Sequence, residues 1–279
     1  MTERLSLLLP VWAGDRADHL AAAFRSTVDE QVRRPDHVVL VRDGPVDTSL
    51  QRCVDELAAT APVPVDVLAL DRNLGLGSAL DLGLQACRYE VVARMDADDV
   101  SLPHRFARQL PVIEAGADIV GAGLLEFVAD PDDPADVVGR RIPPTDPDDI
   151  RARSRFADPF NHPTVVYRRG LVQAVGGYTD FAMMEDYLLW AKLIVAGARV
   201  ANIAEPLVKY RVGAGAYARR GGLGQLRAEL AVQRRFRELG FTSRAQYARN
   251  VLVRGGYRLV PEGVRRLAYR RYIAGYGER

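Results

Sequence analysis

The strongest constraint on this chain is a rhythm in its first hundred residues. Residues 5–9, 37–41, 65–70 and 91–94 are short and predominantly apolar, the length and character of buried strands. Between them, residues 18–32, 47–59 and 77–86 have helical length, and the last carries Leu80, Leu82 and Leu84. A strand–helix–strand repeat of this kind predicts an α/β fold, a mostly parallel sheet with helices on both faces. Ligands of such sheets bind beyond the carboxyl ends of the strands. The residues that follow each strand therefore carry the functional interest: Trp12, Asp43, Asn73 and the acidic group that begins at Asp96.

The middle of the chain changes character. Residues 129–149 are rich in Pro and Asp and predict a loop. Residues 161–167 read as a strand, Gly176-Gly177 as a turn, and residues 185–196 as a helix that Gly197 stops. Residues 199–203 and 207–211 read as two short strands. From Gly222 onward the pattern is helical, with breaks expected near Gly255-Gly256 and Pro261.

With 279 residues and 48% hydrophobic content, the chain has ample material for a core, which excludes disorder and disulfide-stapled miniproteins. No run approaches the roughly 20 apolar residues of a membrane span. The apolar opening is interrupted by Pro10 and Asp15 and reads as a first strand, not a signal sequence. Cys53 and Cys87 lack partners at metal-ligand spacing, which points to a reducing compartment and a cytoplasmic location.

The net charge of +2 conceals an asymmetry. From Ala216 to the end there are fifteen Arg and four Glu, with no Lys or Asp, a balance of +11. An acidic body with a basic tail points to an anionic partner such as a phospholipid surface or a lipid pyrophosphate. Tyr257, Tyr269, Tyr272 and Tyr276 alternate with these arginines, as at a headgroup boundary. The competing reading is that the tail packs on the body or forms a dimer, with its arginines facing water. A nucleic-acid partner finds no helix-turn-helix, zinc-finger or RNA-binding motif. A dehydrogenase finds no Gly-x-Gly-x-x-Gly after the first strand.

Two acidic motifs carry chemistry. Arg94-Met95-Asp96-Ala97-Asp98-Asp99 sets three carboxylates after an apolar strand, where they repel one another unless a cation is near. Mn²⁺ or Mg²⁺ with oxygen ligands would relieve that repulsion and leave positions for phosphate oxygens. The plainer alternative is a turn in which Asp98 or Asp99 caps a helix beginning near Pro103. Glu185-Asp186 opens an apolar helix. It is either a first-turn charge favoured by the helix dipole or a general base at a pocket rim.

These motifs, in this order, resemble those of family 2 glycosyltransferases, inverting enzymes with the GT-A fold. The likeness runs from Leu5 to about Arg211. It rests on Leu9-Pro10-Val11-Trp12, Val41-Arg42-Asp43-Gly44, Asp71-Arg72-Asn73-Leu74-Gly75-Leu76, the Asp96–Asp99 group, Asn161-His162-Pro163-Thr164, Gly176-Gly177-Tyr178 and Glu185-Asp186-Tyr187. The resemblance implies a catalytic domain at 1–215, with a nucleotide-binding half to about 110 and an acceptor-binding half beyond it. Residues 216–279 would be an Arg-rich, mostly helical extension. It also implies roles: Asp186 as catalytic base; Pro10, Trp12, Asp43, Asn73, Asp96, Asp98 and Arg211 at the donor; Asp98 and Asp99 at the metal. His162, Gly176, Gly177, Tyr178 and Glu185 would line the acceptor side. Asp43 is expected to read the nucleobase, Trp12 to stack on it, and Gly176-Gly177 to admit the sugar closely. His162 is equally expected as a hydrogen-bonded structural residue.

Two departures stand out. Arg42 replaces the first Asp of the family's Asp-Asp-Gly, and Val212-Gly213 follow Arg211 where many relatives carry a metal-binding His. Arg211, Arg219 or Arg220 would then hold the diphosphate, with Gly213, Gly215, Gly221, Gly222 and Gly224 in a closing loop. The implied function is transfer from a nucleotide-diphosphate sugar, UDP favoured, to a glycan or lipid-linked hydroxyl. Peripheral attachment to the inner membrane face is expected, and the oligomeric state stays open. The other reading is a non-catalytic nucleotide-sugar or membrane-surface binding module on the same scaffold.

Overall fold

A computed structural model describes residues 3–181, 183–213 and 222–260. Its sheet is ordered β3-β2-β1-β4-β8-β6-β9-β5, with β7 paired to β6. These strands are β1 (Leu5–Trp12), β2 (His37–Asp43), β3 (Val65–Ala69), β4 (Val91–Arg94), β5 (Val100–Ser101), β6 (Ile119–Phe127), β7 (Val137–Arg141), β8 (Val166–Arg168) and β9 (Val200–Arg211). The first four strands are parallel, as the crossover pattern predicts. Beyond them the antiparallel β8 joins β4 to β6, and β6 runs parallel to β9.

Side-chain alternation along β1 explains the two-sided core. Leu5, Leu7, Leu9 and Val11 meet α1 (Ala17–Phe24), α2 (Thr48–Thr60) and α4 (Arg105–Glu114) through Leu20, Phe24, Leu50, Val54, Phe106 and Leu110. Leu8 faces the other way, toward Leu80 and Leu84 of α3 (Leu76–Ala86) and Trp190 and Leu193 of α7 (Glu185–Val195). α5 (Pro147–Ser154) and α6 (Arg169–Ala174) cover the same face through Ile150 and Val172. Both faces are apolar and covered, so the strands read as unbroken hydrophobic runs.

Pro10 marks where the sheet opens. The β1–β4 pairing ends at Leu8 opposite Arg94, and the Met95 amide donates to the Leu8 carbonyl. Residue 10 presents its backbone to the same side as residue 8, where β4 has ended, so no ladder bond is lost to proline. β1 lies between β2 and β4, so the chain reverses its direction of strand addition there. This is the switch point where such sheets bind ligands.

Several expectations are corrected. The loop expected at 129–149 contains β7, which pairs with β6 and extends the sheet. The strand expected at 161–167 is only Val166–Arg168, because Pro163 sits in a 3₁₀ turn over His162–Thr164. The two strands expected near 199–211 are one, β9, with register shifts opposite Gly123 that absorb Pro206. The tail does not break at Gly255-Gly256. Gly255 is buried against Leu226, and the backbone stays helical from α9 (Arg244–Asn250) through Val251–Gly255 into α10 (Gly256–Leu259). The break falls earlier, after α8 (Leu223–Glu238), where Gly240 takes φ +70° and Ser243 begins α9 with a capping box. Pro261 lies outside the described residues.

The tail packs on the body. Val232, Phe236 and Phe241 join Met184, Tyr187, Leu188 and Ala191 in a third apolar cluster. Fully buried Glu229 of α8 pairs with Arg254 at 2.6 Å and Arg258 at 2.9 Å, and Arg254 also donates to the Phe156 carbonyl. Among the described residues no helix is long and apolar enough to cross a membrane, and Cys53 and Cys87 are free thiols.

Candidate functional site

The ends of β1 and β2 form one wall. Trp12 is 54% exposed at the strand end, its ring lying over Gly14. Asp43 is buried; its Oδ1 accepts the Leu74 amide at 2.7 Å and its Oδ2 the Gly75 amide at 3.0 Å. Asn73 Nδ2 donates to the Asp43 carbonyl at 3.3 Å. Gly44 holds φ +87°, and a Cβ there would stand 2.5 Å from the Asn73 nitrogen. Asp43 thus clamps the 72–75 turn to β2, a backbone-shaping duty that the expectation of base reading alone did not include.

The acidic turn after β4 rests on buried cations. Arg94 is 2% exposed and grips Asp96 with both terminal nitrogens, Nη1 to Oδ2 at 2.5 Å and Nη2 to Oδ1. Asp96 is therefore ion-paired within the protein, with its side chain still partly exposed. Fully buried Arg105 supports the turn from beneath, donating to the Arg94 carbonyl at 2.6 Å and to Ser101 Oγ at 3.1 Å. Burial pushes its guanidinium down to about 9, helped by the charge of Arg94. Asp98 is pushed up to about 6 by burial and then by Asp96. Asp15 also reaches about 6 through burial, with Asp98 and Asp96 adding to it. Asp99 is fully buried. Its Oδ1 accepts the Arg211 amide at 2.8 Å, while Oδ2 has no partner. Neither Asp98 nor Asp99 caps α4, whose first residue follows His104 without a side-chain cap.

Arg211 departs from expectation. Its Nε donates to the Asp98 carbonyl at 3.0 Å, its Nη1 to the Ala129 carbonyl at 2.8 Å, and its guanidinium lies 4.4 Å from the Phe127 ring centre. Its Nε and its backbone amide thus tie the end of β9 to the acidic turn, while Nη1 ties it to the segment after β6. Arg219, Arg220, Gly215 and Gly221 lie outside the described residues.

The opposite wall is the start of α7. Asp186 is 21% exposed at the side chain; its Oδ1 accepts the Tyr187 amide at 2.7 Å, and its Oδ2 lies 3.6 Å from His162 Nδ1. His162 Nε2 and the Tyr178 hydroxyl are 3.2 Å apart, and the His162 ring sits edge-on to Trp190. Burial, then the Arg94 charge, hold His162 well below its usual range, so it is neutral. Glu185 is pushed up to about 7 by burial and by Asp186. α3 comes close enough that a Cβ on Gly77 would stand 3.3 Å from Glu185 Cβ. Gly177, at φ +61°, closely approaches Asp81 of α3, while Gly176, at φ +84°, faces open space.

Asp158 completes this wall and was not among the expected residues. It hydrogen-bonds Asp186, and its Oδ1 accepts the Phe160 amide at 3.0 Å. Burial, then the Asp186 charge, raise Asp158 well above the carboxylate range. Burial raises Asp186 as well, so the two carboxyls share one desolvated site and compete for the same proton. Asp158-Pro159 reads in the sequence only as a turn. Arg94 joins the two walls, its charge acting on Asp99 at one and on Asp186, Glu185 and His162 at the other.

The structure therefore sets the Asp158–Asp186 pair and an acidic turn with an unpartnered buried oxygen on two sides of the buried Arg94. Comparison with known proteins gives the family. The family model for glycosyl transferase family 2 matches residues 6–173, more than half the chain. This chain belongs to glycosyl transferase family 2. Its sequence is 34% identical over 269 residues to "Amylovoran biosynthesis glycosyltransferase AmsE" of Erwinia amylovora, covering 95% of this chain and 97% of that one. It is 30% identical over 274 residues to an Escherichia coli protein described as "UDP-Gal:alpha-D-GlcNAc-diphosphoundecaprenol beta-1,3-galactosyltransferase", covering 98% and 97%. Among solved structures it resembles Staphylococcus aureus TarS in complex with UDP-GlcNAc, with a TM-score of 0.67 at 14% identity over 97% of this chain and 76% of that one. A mannosyltransferase of Pyrobaculum calidifontis in complex with GDP-Man and Mn²⁺ gives 0.65 at 18%, covering 98% and 76%. The protein is a family 2 glycosyltransferase with the GT-A fold. In this glycosyltransferase the switch-point edge of the sheet and the start of α7 are linked through the buried Arg94.

Proposed function

We propose that the enzyme moves a sugar, with inversion, from a nucleoside diphosphate sugar to a hydroxyl of a lipid-linked glycan, with Asp186 as the general base. The observation that carries this reading is the Asp158–Asp186 pair at the cleft wall. Burial raises the Asp186 carboxyl above the ordinary carboxylate range, which makes it a better proton acceptor than an exposed carboxylate, while the Tyr187 amide, the Arg94 charge and Asp158 favour its ionised form. Asp186 accepts the hydroxyl proton as that oxygen attacks the anomeric carbon opposite the leaving diphosphate. Neutral His162 and Tyr178 shape the acceptor side and add no positive charge that would weaken the base.

Nucleotide and acceptor follow from the relatives. UDP sugars are favoured by the E. coli relative named for UDP-Gal and the TarS complex with UDP-GlcNAc. A lipid-linked acceptor is favoured by the relative named for a diphosphoundecaprenol substrate, and a polysaccharide pathway by the amylovoran relative. In this reading the turn held by Asp43 and Asn73 faces the nucleobase, with Trp12 stacking beside it.

The acidic turn fits a hard divalent cation. Its donors are all carboxylate oxygens, Asp98 and Asp15 are desolvated, and buried Asp99 Oδ2 lacks a partner. Among the described residues no three side chains form a complete metal cluster, so the diphosphate would supply the remaining ligands. Bound there by Asp98 and Asp99, Mn²⁺ or Mg²⁺ would supply Lewis-acid neutralisation of the leaving group. Calorimetry with UDP, GDP and their sugars, with and without Mn²⁺, tests both points. UDP binding that weakens sharply with chelator and in Asp98→Ala supports them. Equal affinity with and without Mn²⁺ removes the metal from the reading.

A further inference from the structure

Beside the base wall, the protein presents an apolar rim that the catalytic cleft does not use. Met183 is two residues before Glu185, is 55% exposed, and holds φ +68°, a conformation an unbranched non-glycine residue adopts only at a cost. Gln225, in the first turn of α8, donates to its sulfur at 2.8 Å. That contact brings α8 to the lip of the cleft. The Gly222 amide donates to the Arg258 carbonyl at 3.0 Å, which sets Leu223 beside the end of α10 and Leu259. Gly255 packs on Leu226, which fixes the preceding turn against α8. Leu223, Leu252 and Leu259 are 65%, 77% and 60% exposed, and Val253 is half exposed.

We propose that Met183, Leu223, Leu252, Val253 and Leu259 form a membrane-interface surface that seats this enzyme on an anionic bilayer with its base wall at the headgroups. The inference rests on the lipid-linked acceptor argued above and names the surface that reaches it. Charge selects the occupant. Residues 222–260 contain eight Arg and two Glu, with no Lys or Asp. Both glutamates are ion-paired, Glu238 to Arg235 within α8 and Glu229 to Arg254 and Arg258 of the following segments. Arg227 and Arg234 of α8 are exposed. A face with this excess of positive charge repels a second copy of itself and attracts anionic lipid. The apolar residues are few and shallow, so the contact is peripheral and salt-sensitive.

The test uses the full chain and two vesicle types, pure phosphatidylcholine and phosphatidylcholine doped with phosphatidylglycerol. The substitutions Leu252→Ser, Val253→Ser and Leu259→Ser, made together, remove apolar contact and leave every arginine in place. The parent is expected to co-sediment with the doped vesicles only, and to release on added salt. The triple variant, with an unchanged melting temperature, is expected to lose about tenfold or more of that binding. Equal binding by parent and variant overturns the proposal, as does absence of parent binding to doped vesicles. A parent that is dimeric by light scattering and becomes monomeric in the variant, without lipid binding, assigns the rim to self-association instead. UDP affinity measured on the same samples stays at the parent value whichever way the vesicles go, so failure here is separable from failure of the transferase reading.

Discussion

Asp158 is the residue whose behaviour most sharply separates chemistry from scaffolding. Burial raises both its carboxyl and that of Asp186, so the pair ionises in two steps that belong to both carboxyls. Asp158→Asn keeps a donor to Asp186 and should retain most neutral-pH turnover, while the upper ionisation disappears from the kcat profile. Asp158→Ala removes the donor that lowers Asp186, so Asp186 protonates more readily and the acid limb should move to higher pH. Superimposable profiles for the parent and both variants would show that Asp158 only fills space. Asp186 was singled out through the family resemblance, because an acidic pair opening an apolar helix is by itself equally a first-turn charge favoured by the helix dipole. Asp158 was not, because its role depends on a contact across 28 positions that no local spacing reveals. Arg94 was visible within its motif, yet its grip on Asp96 and its reach to both walls appear only once β4 and α7 are packed together.

Among the elements, the acidic turn between β4 and β5 is held in a state the free enzyme does not favour. Asp98 has a folded-state value of about 6 against an ordinary value near 3.8. The folded state therefore binds the proton more tightly than the unfolded state. Its stabilising contribution is full below about pH 4 and is lost as pH rises through about 6. Asp98→Asn should accordingly raise stability in metal-free buffer at pH 7 by about 1 kcal/mol, or ~2–4 °C in melting temperature, while weakening diphosphate binding. A lower melting temperature for this variant would contradict the account. The turn after β2 makes a second prediction. Gly44→Ala adds a Cβ 2.5 Å from the Asn73 nitrogen at φ +87° and should cost about 1–3 kcal/mol in urea unfolding. It should weaken nucleotide binding as well, since Asn73 must move. At this scale β1 to β4 and the helices between them were legible, because periodicity and crossover geometry suffice. β6 was missed because Gly121 and Gly123 dilute a nine-residue apolar run, although Asn202 and Ala204 approach those glycines closely. β7 was missed because its two valines and two arginines look like the loop around them.

At the scale of the whole molecule, the tail joins the body through a buried ion-paired centre, so its charge is only partly available to a partner. Glu229→Ala would leave Arg254 and Arg258 facing each other with no anion in a largely buried position. This change should cost about 3–5 kcal/mol in denaturant unfolding and loosen α8 from α7. A loss below 1 kcal/mol would mean that the helices are held by the Phe236 cluster alone. The charge asymmetry was legible in composition, but the internal share of Arg254 and Arg258 was not, because burial of an arginine follows from its tertiary partner. The central claim, that Asp186 removes the acceptor proton, is tested most directly by nucleoside diphosphate release from a UDP sugar in the presence of a lipid-linked glycan acceptor, parent against Asp186→Asn. The account predicts unchanged UDP affinity and melting temperature, with turnover reduced by about 10²–10⁴ or more; turnover within a few-fold of the parent would contradict it.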